Sequence, residues 1–228
     1  MTILKFALKK NFRNPLSVIM GFILPTALLL IPGLWNQEGS RGYYYIAFAI
    51  LLSSFPLTKG LLNDRKERTI VRIMSTPTTM FEYLSQNLMA CMIPLTLQII
   101  FIALFGLIRY DWTIQFTLLL GLAYTLFAAT AIGFAFAWYC CFKNTEVGGA
   151  VLSVVMIFAS TFGIIIPVDA MQGFMRIIAR LFPTYWISTG IEALFIDSGF
   201  SLEFLMPMGV LVLFTSIFLI YGSKRGTH

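Results

Sequence analysis

Charge is the scarcest feature of this sequence. Asp, Glu, Lys and Arg make up 11% of its 228 residues, against about 25% in soluble domains. That leaves too little polar surface to cover a globule in water, and lipid is the solvent the composition fits. Histidine is nearly missing too. The single residue, His228, stands at the C-terminus, which excludes an H-E-x-x-H zinc site and internal His-based triads. The three cysteines, Cys91, Cys140 and Cys141, have no spaced Cys or His partners of the kind zinc requires. They read as small apolar helix residues, and no metal site is expected. No G-x-x-x-x-G-K-[ST] loop occurs, so these residues hold no phosphate cradle for ATP hydrolysis. The alternating ten-residue polarity of a membrane β-barrel is also missing.

What is present is a series of long apolar runs. Six windows are nearly or wholly free of charge: residues 14–37, 42–63 (interrupted only by Lys59), 83–108, 112–142, 147–168 and 204–223. About 20 apolar residues at 1.5 Å rise cross the ~30 Å hydrocarbon core. Backbone groups in lipid must pair within their own segment, so each window predicts a helix. The first window is too long for the apolar core of a usual cleavable signal and lacks a small-residue exit, so it reads as a membrane helix. The expectation is an all-α membrane protein with six transmembrane helices, a single membrane domain over residues 1–228.

Lys and Arg bias sets orientation. With the N-terminus inside, the cytoplasmic segments hold 12 of the 16 basic residues and the outer segments only Arg41, Arg109, Arg176 and Arg180. Both termini are therefore expected in the cytoplasm, and the chain in the cell membrane. The net charge of +6 then follows from topology and an anionic inner leaflet. Membrane lipids are the expected partner of that charge. Nucleic acid is not needed to explain it.

Residues 1–14 interleave Ile3, Leu4, Phe6, Ala7 and Leu8 with Lys5, Lys9, Lys10 and Arg13. This pattern predicts an amphipathic helix lying in the inner interface, or else a plain basic flank. Pro15 suits a turn into the first span. Pro25, Pro32, Pro56 and Pro94 fall inside windows, as hinges or as ordinary kinks repaired by neighbouring helices. Thr125, Ala129, Gly133 and Ala137 recur every four residues and permit close helix packing, expected within the subunit. Residues 169–200 are too apolar for a free loop and too short in each half to span. Arg176 and Arg180 lie four apart, Pro183 divides the halves, and Tyr185 and Trp186 follow. Two short helices dipping into the outer leaflet are expected, with those rings at headgroup depth.

The densest charge lies in residues 63–77: Asn63-Asp64-Arg65-Lys66-Glu67-Arg68-Thr69-Ile70-Val71-Arg72-Ile73-Met74-Ser75-Thr76-Pro77. Arg65, Arg68 and Arg72 share one helical face, and Ile70, Val71, Ile73 and Met74 supply an apolar side. Such a helix can be gripped by another protein. A basic loop that only fixes topology has the same composition, and the physics alone leaves both readings open.

The segment resembles the cytoplasmic loop of ABC-2 type transporter permeases. Asp64-Arg65 matches the family's acidic-basic start, Thr69-Ile70 its Thr-Leu, Arg72-Ile73-Met74 its Arg-Leu-Leu, and Ser75-Thr76-Pro77 its close. Arg68 stands where glycine is usual, and Lys66-Glu67 reverses a common order. Residues 177–184, Ile-Ile-Ala-Arg-Leu-Phe-Pro-Thr, resemble the family's stretch before the last span. The resemblance implies two permease subunits, as homodimer or heterodimer, and two cytoplasmic ATPase subunits. It implies that ATP and Mg are held by those ATPase partners, with no cofactor bound directly to this chain. It makes Asp64, Arg65, Glu67, Arg68, Thr69, Arg72, Thr76 and Pro77 a coupling helix. It also implies export along a path at the permease interface. The absence of charge at mid-membrane favours an external energy source as well, since ion-coupled carriers usually keep ionisable groups there. Cargo is expected to be lipophilic or amphipathic: a drug, antibiotic, peptide or lipid. The alternatives are polysaccharide or glycolipid export, an ATP-independent channel or carrier, and a membrane scaffold.

Overall fold

A computed structural model describes residues 2–35, 41–66, 80–141, 145–196 and 200–225. Ten α-helices occur among them: α1 (Thr2–Arg13), α2 (Pro15–Val18), α3 (Leu24–Leu29), α4 (Gly42–Lys66), α5 (Met80–Arg109), α6 (Ile114–Cys141), α7 (Thr145–Thr161), α8 (Phe174–Ala179), α9 (Pro183–Ile196) and α10 (Leu202–Arg225). A π-helical turn, Ile19–Ile23, joins α2 to α3. No strand forms among the described residues; an isolated bridge pairs Phe162 with Ile166. Three helical stretches are long and apolar enough to cross a membrane: Ser85–Arg109, Ile114–Trp138 and Leu202–Gly222. Gly42–Thr58 and Val147–Thr161 are shorter apolar helices.

The first apolar window is not one straight helix. α1 ends at Arg13, and Leu4–Arg13 meets Pro15–Leu29 at 79°. Asn14 adopts an extended backbone and its side-chain oxygen accepts the Leu16 amide at 3.1 Å. Pro15 occupies the first helical position, where no amide is needed. The capped start sets α2 off from α1 at the turn that Pro15 suits. Further on, Pro25 has no N–H to offer. The Met20 carbonyl, five residues earlier, is the acceptor a π turn would direct at it. The Ser53 hydroxyl of α4 approaches that carbonyl at 2.7 Å.

α5 contains Pro94, which removes the helical donor from the carbonyl of Ala90, four residues back. The buried Asn11 side chain of α1 donates to that carbonyl at 3.3 Å. Its amide also lies 3.7 Å from the Cys91 sulfur, which in turn donates to the Leu57 carbonyl of α4 at 3.5 Å. Asn11 thus ties α1 to α5 at a proline-made gap, and Cys91 carries the tie on to α4.

α6 is the central column, packed against α4, α5, α9 and α10. Its small-residue stripe meets α10: a Cβ on Gly133 would stand 3.5 Å from the Phe218 Cβ and 3.7 Å from the Thr215 carbonyl. The Thr130 and Thr215 hydroxyls bond across the same seam at 2.9 Å. The close approach that the stripe permits is made inside the chain.

The fifth window, residues 147–168, runs past its helix. α7 stops at Thr161, and the chain reverses at Gly163, whose φ is +93°. A Cβ there would stand 2.7 Å from the Thr184 carbonyl, so both conformation and space require glycine. Tyr185 is buried in a small core with Phe162, Val168, Met171 and Ala179.

Candidate functional site

Two regions carry polar chemistry, at opposite ends of α4. The first is the sequence-predicted coupling segment. Asp64 and Arg65 sit in the last turn of α4, which ends at Lys66, and α5 starts at Met80. Glu67, Arg68, Thr69, Arg72, Thr76 and Pro77 lie outside the described residues. The segment is therefore slung between the two helices that Asn11 and Cys91 join to α1. On α1 itself Lys5, Lys9 and Arg13 are exposed and Lys10 is half-buried. These four basic side chains share the short helix that packs on α5 and meets Pro15–Leu29 at 79°.

The second region is a cavity of about 310 Å³ at the other end of α4. Four ionisable or hydroxyl side chains line it: Arg41 just before α4, Tyr44 in its first turn, Asp169 in the 3-10 turn Val168–Ala170, and Glu192 in α9. Gly163, Ile164 and Ile165 form a wall. Glu192 is half-buried, in a helix that is not among the long spans. Burial, then the neighbouring Asp169 charge, push its carboxyl up from 4.5 to about 7. The Val168 amide, the Arg176 guanidinium and the Tyr44 hydroxyl pull in the other direction.

The outer-segment residues read from the sequence fall around this cavity rather than in it. Arg176 is half-buried and donates from Nη2 to the Val168 carbonyl at 3.3 Å, while its buried Nε has no partner. Arg180 is exposed, and its carbonyl accepts the indole N–H of Trp186 at 2.8 Å. Pro183 opens α9. The sequence reading passed over Tyr44, Asp169 and Glu192 and used Arg41 only for orientation. The available signal was Glu192, one acid inside the apolar run Tyr185–Ile196, where an unpaired carboxylate is expensive and so points to a purpose.

An aromatic cluster closes the same end. Trp35 stacks on Tyr110 at 5.2 Å, Tyr43 packs on Trp112 at 5.2 Å, and Phe195 meets Tyr43 at 5.0 Å. The Tyr110 hydroxyl donates to the Leu29 carbonyl at 2.6 Å and the Tyr124 hydroxyl to that of Tyr43 at 2.8 Å. A separate cavity of about 220 Å³ is lined almost wholly by carbon from Leu51, Phe127, Phe134, Met156, Phe182 and Phe214.

Together these features define a multi-pass helical membrane protein with a charged interhelical segment and no nucleotide-binding loop in its sequence. The sequence pattern of ABC-2 family transporter proteins matches residues 36–224, and the chain belongs to that family. It is a membrane permease of an ABC system, a family whose members associate with ABC ATPase partners and usually lack ATPase activity of their own. No curated protein gives a match.

Proposed function

We propose that this permease exports a lipophilic or amphipathic compound, driven by ATP hydrolysed on a separate subunit that holds the nucleotide and its Mg. The reading places six crossings with both termini in the cytoplasm of a cell-membrane protein, and residues 169–200 dipping into the outer leaflet. A second permease subunit completes the path. Residues 63–77 seat in the ATPase, and closure of the ATPase pair pushes on α4 and α5. The observation that carries this is family membership over residues 36–224, with the charged segment hung between α4 and α5. The Asn11–Ala90 and Cys91–Leu57 ties give that pair of helices a common foothold for a push. The carbon-lined 220 Å³ cavity supports lipophilic cargo, because a polar sugar chain would lose its hydration there without replacement. Polysaccharide or glycolipid export is the second reading of the family resemblance.

Scrambling residues 64–76 tests the coupling. The scrambled chain is expected to lose ATPase co-purification and ATP-dependent cargo efflux from vesicles while still inserting in the membrane. Retention of both overturns the docking role. Efflux from liposomes holding this chain alone overturns the need for an ATPase.

A further inference from the structure

The cavity at the Gly42 end of α4 has a charge pattern that the family assignment does not use. Arg41 supplies a cation and Asp169 an anion, both exposed at its rim, while Glu192 lies half-buried on its wall. Among the described residues none of the three makes a close ion pair with another. Opposite charges that line one small cavity without neutralising each other are complementary to a ligand carrying both signs.

Size and lining narrow the class. About 310 Å³ stands at the lower end of ligand sites, which run from roughly 300 to 1,000 Å³. That is room for a headgroup-sized molecule. Ile164, Ile165 and Phe195 give the cavity apolar sides against which the carbons next to a headgroup can rest. A guanidinium fits an oxoacid such as phosphate in bidentate fashion, and a primary ammonium donates to carboxylates and to a phenol oxygen.

We propose that this cavity binds a zwitterion of the phosphoethanolamine type, with its phosphate on Arg41 and its ammonium between Asp169, Glu192 and the Tyr44 oxygen. Two sources offer that chemistry: a phospholipid headgroup entering from the bilayer, and a free small zwitterion entering from water. The site requires no particular direction of transport, so it stands or falls apart from the export reading.

The test uses the full chain with its ATPase in phosphatidylcholine nanodiscs. Native mass spectrometry reads retention of added phosphatidylethanolamine against phosphatidylglycerol, and calorimetry reads binding of free glycerophosphoethanolamine. Retention of the ethanolamine lipid is expected to exceed that of the glycerol lipid by about tenfold, and to fall by about tenfold in Arg41→Gln and in the Asp169→Asn/Glu192→Gln double variant. Arg41 is exposed, so its single variant reports on binding without burdening the fold. Binding of the lipid but not the free zwitterion supports the proposal with the headgroup as source. Binding of both with similar affinity supports it with the soluble molecule as a competent ligand. Equal retention of the two lipids with no free binding overturns it, and so does wild-type retention in both variants.

Discussion

Glu192 is the residue whose environment is most at odds with its chemistry. Its carboxyl is raised from 4.5 to about 7, first by burial and then by Asp169. The folded chain therefore holds this proton more tightly than the unfolded chain does. The stabilisation is complete below about 4.5 and is lost as pH climbs through about 7. Thermal unfolding in detergent at pH 5 and pH 8 reads the effect. The midpoint of the wild-type chain is expected to fall between those values by more than that of Glu192→Gln, which keeps the shape and discards the titration. Equal falls in both proteins remove Glu192 as the cause. The groups that face it, Tyr44, Asp169 and Arg176, come from three separate segments. No local sequence pattern announces such a meeting. Glu192 falls between the uncharged windows, in a stretch read for its length and its rings, so the lone acid there went unused.

At the scale of elements, the prolines show what sequence can and cannot specify. That Pro94 leaves a carbonyl without its donor is legible from the sequence, because the loss is always four residues back. That Asn11, 79 positions from Ala90, fills the gap is not legible, since Asn11 read as one polar position on an interface helix. The small-residue stripe of α6 was legible for the opposite reason: its period lies within one helix, and Gly133 meets α10 as close packing requires. Window boundaries were less so. Residues 162–168 are as apolar as α7 itself, but apolarity does not distinguish a helix from a buried reversal, and the φ of +93° at Gly163 is a backbone property. A double-mutant cycle tests the Asn11 tie. Asn11→Leu alone is expected to destabilise α1 docking by about 1 kcal/mol, raising the rate of Cys91 modification about fivefold through local opening. In a Pro94→Ala background the helix supplies its own donor to Ala90, and the cost of Asn11→Leu is expected to shrink by more than half. Equal costs in both backgrounds show that Asn11 acts by packing and not through the freed carbonyl.

For the whole molecule the open quantity is the number of crossings, because it fixes which end faces the ATPase. α5, α6 and α10 each hold a stretch long enough to span. α4, with 25 residues, reaches about 37 Å. α7 has 17 residues and reaches about 25 Å, short of a ~30 Å core. It is followed at once by the Gly163 reversal and by α8 and α9, which are shorter still. If α7 crosses, six spans return the C-terminus to the side of residues 63–77. Gly149 near the start of α7 faces Phe55, and the Gly163 reversal lies with Arg41 at the Gly42 end of α4, so α7 runs along α4 toward that end and does not turn back on one face. The six-span reading gathers 12 of the 16 basic residues on one side, as the Lys and Arg bias of membrane proteins expects. Single cysteines at positions 75, 169 and 226, placed in a chain whose own three cysteines are replaced, test the count. An impermeant maleimide is expected to label position 169 on intact cells, and positions 75 and 226 only after permeabilisation. Labelling of 226 on intact cells, with 75 still protected, overturns the count of six spans. Labelling of 75 from outside inverts the molecule, and the charged segment between α4 and α5 then has no access to an energy source that burns ATP.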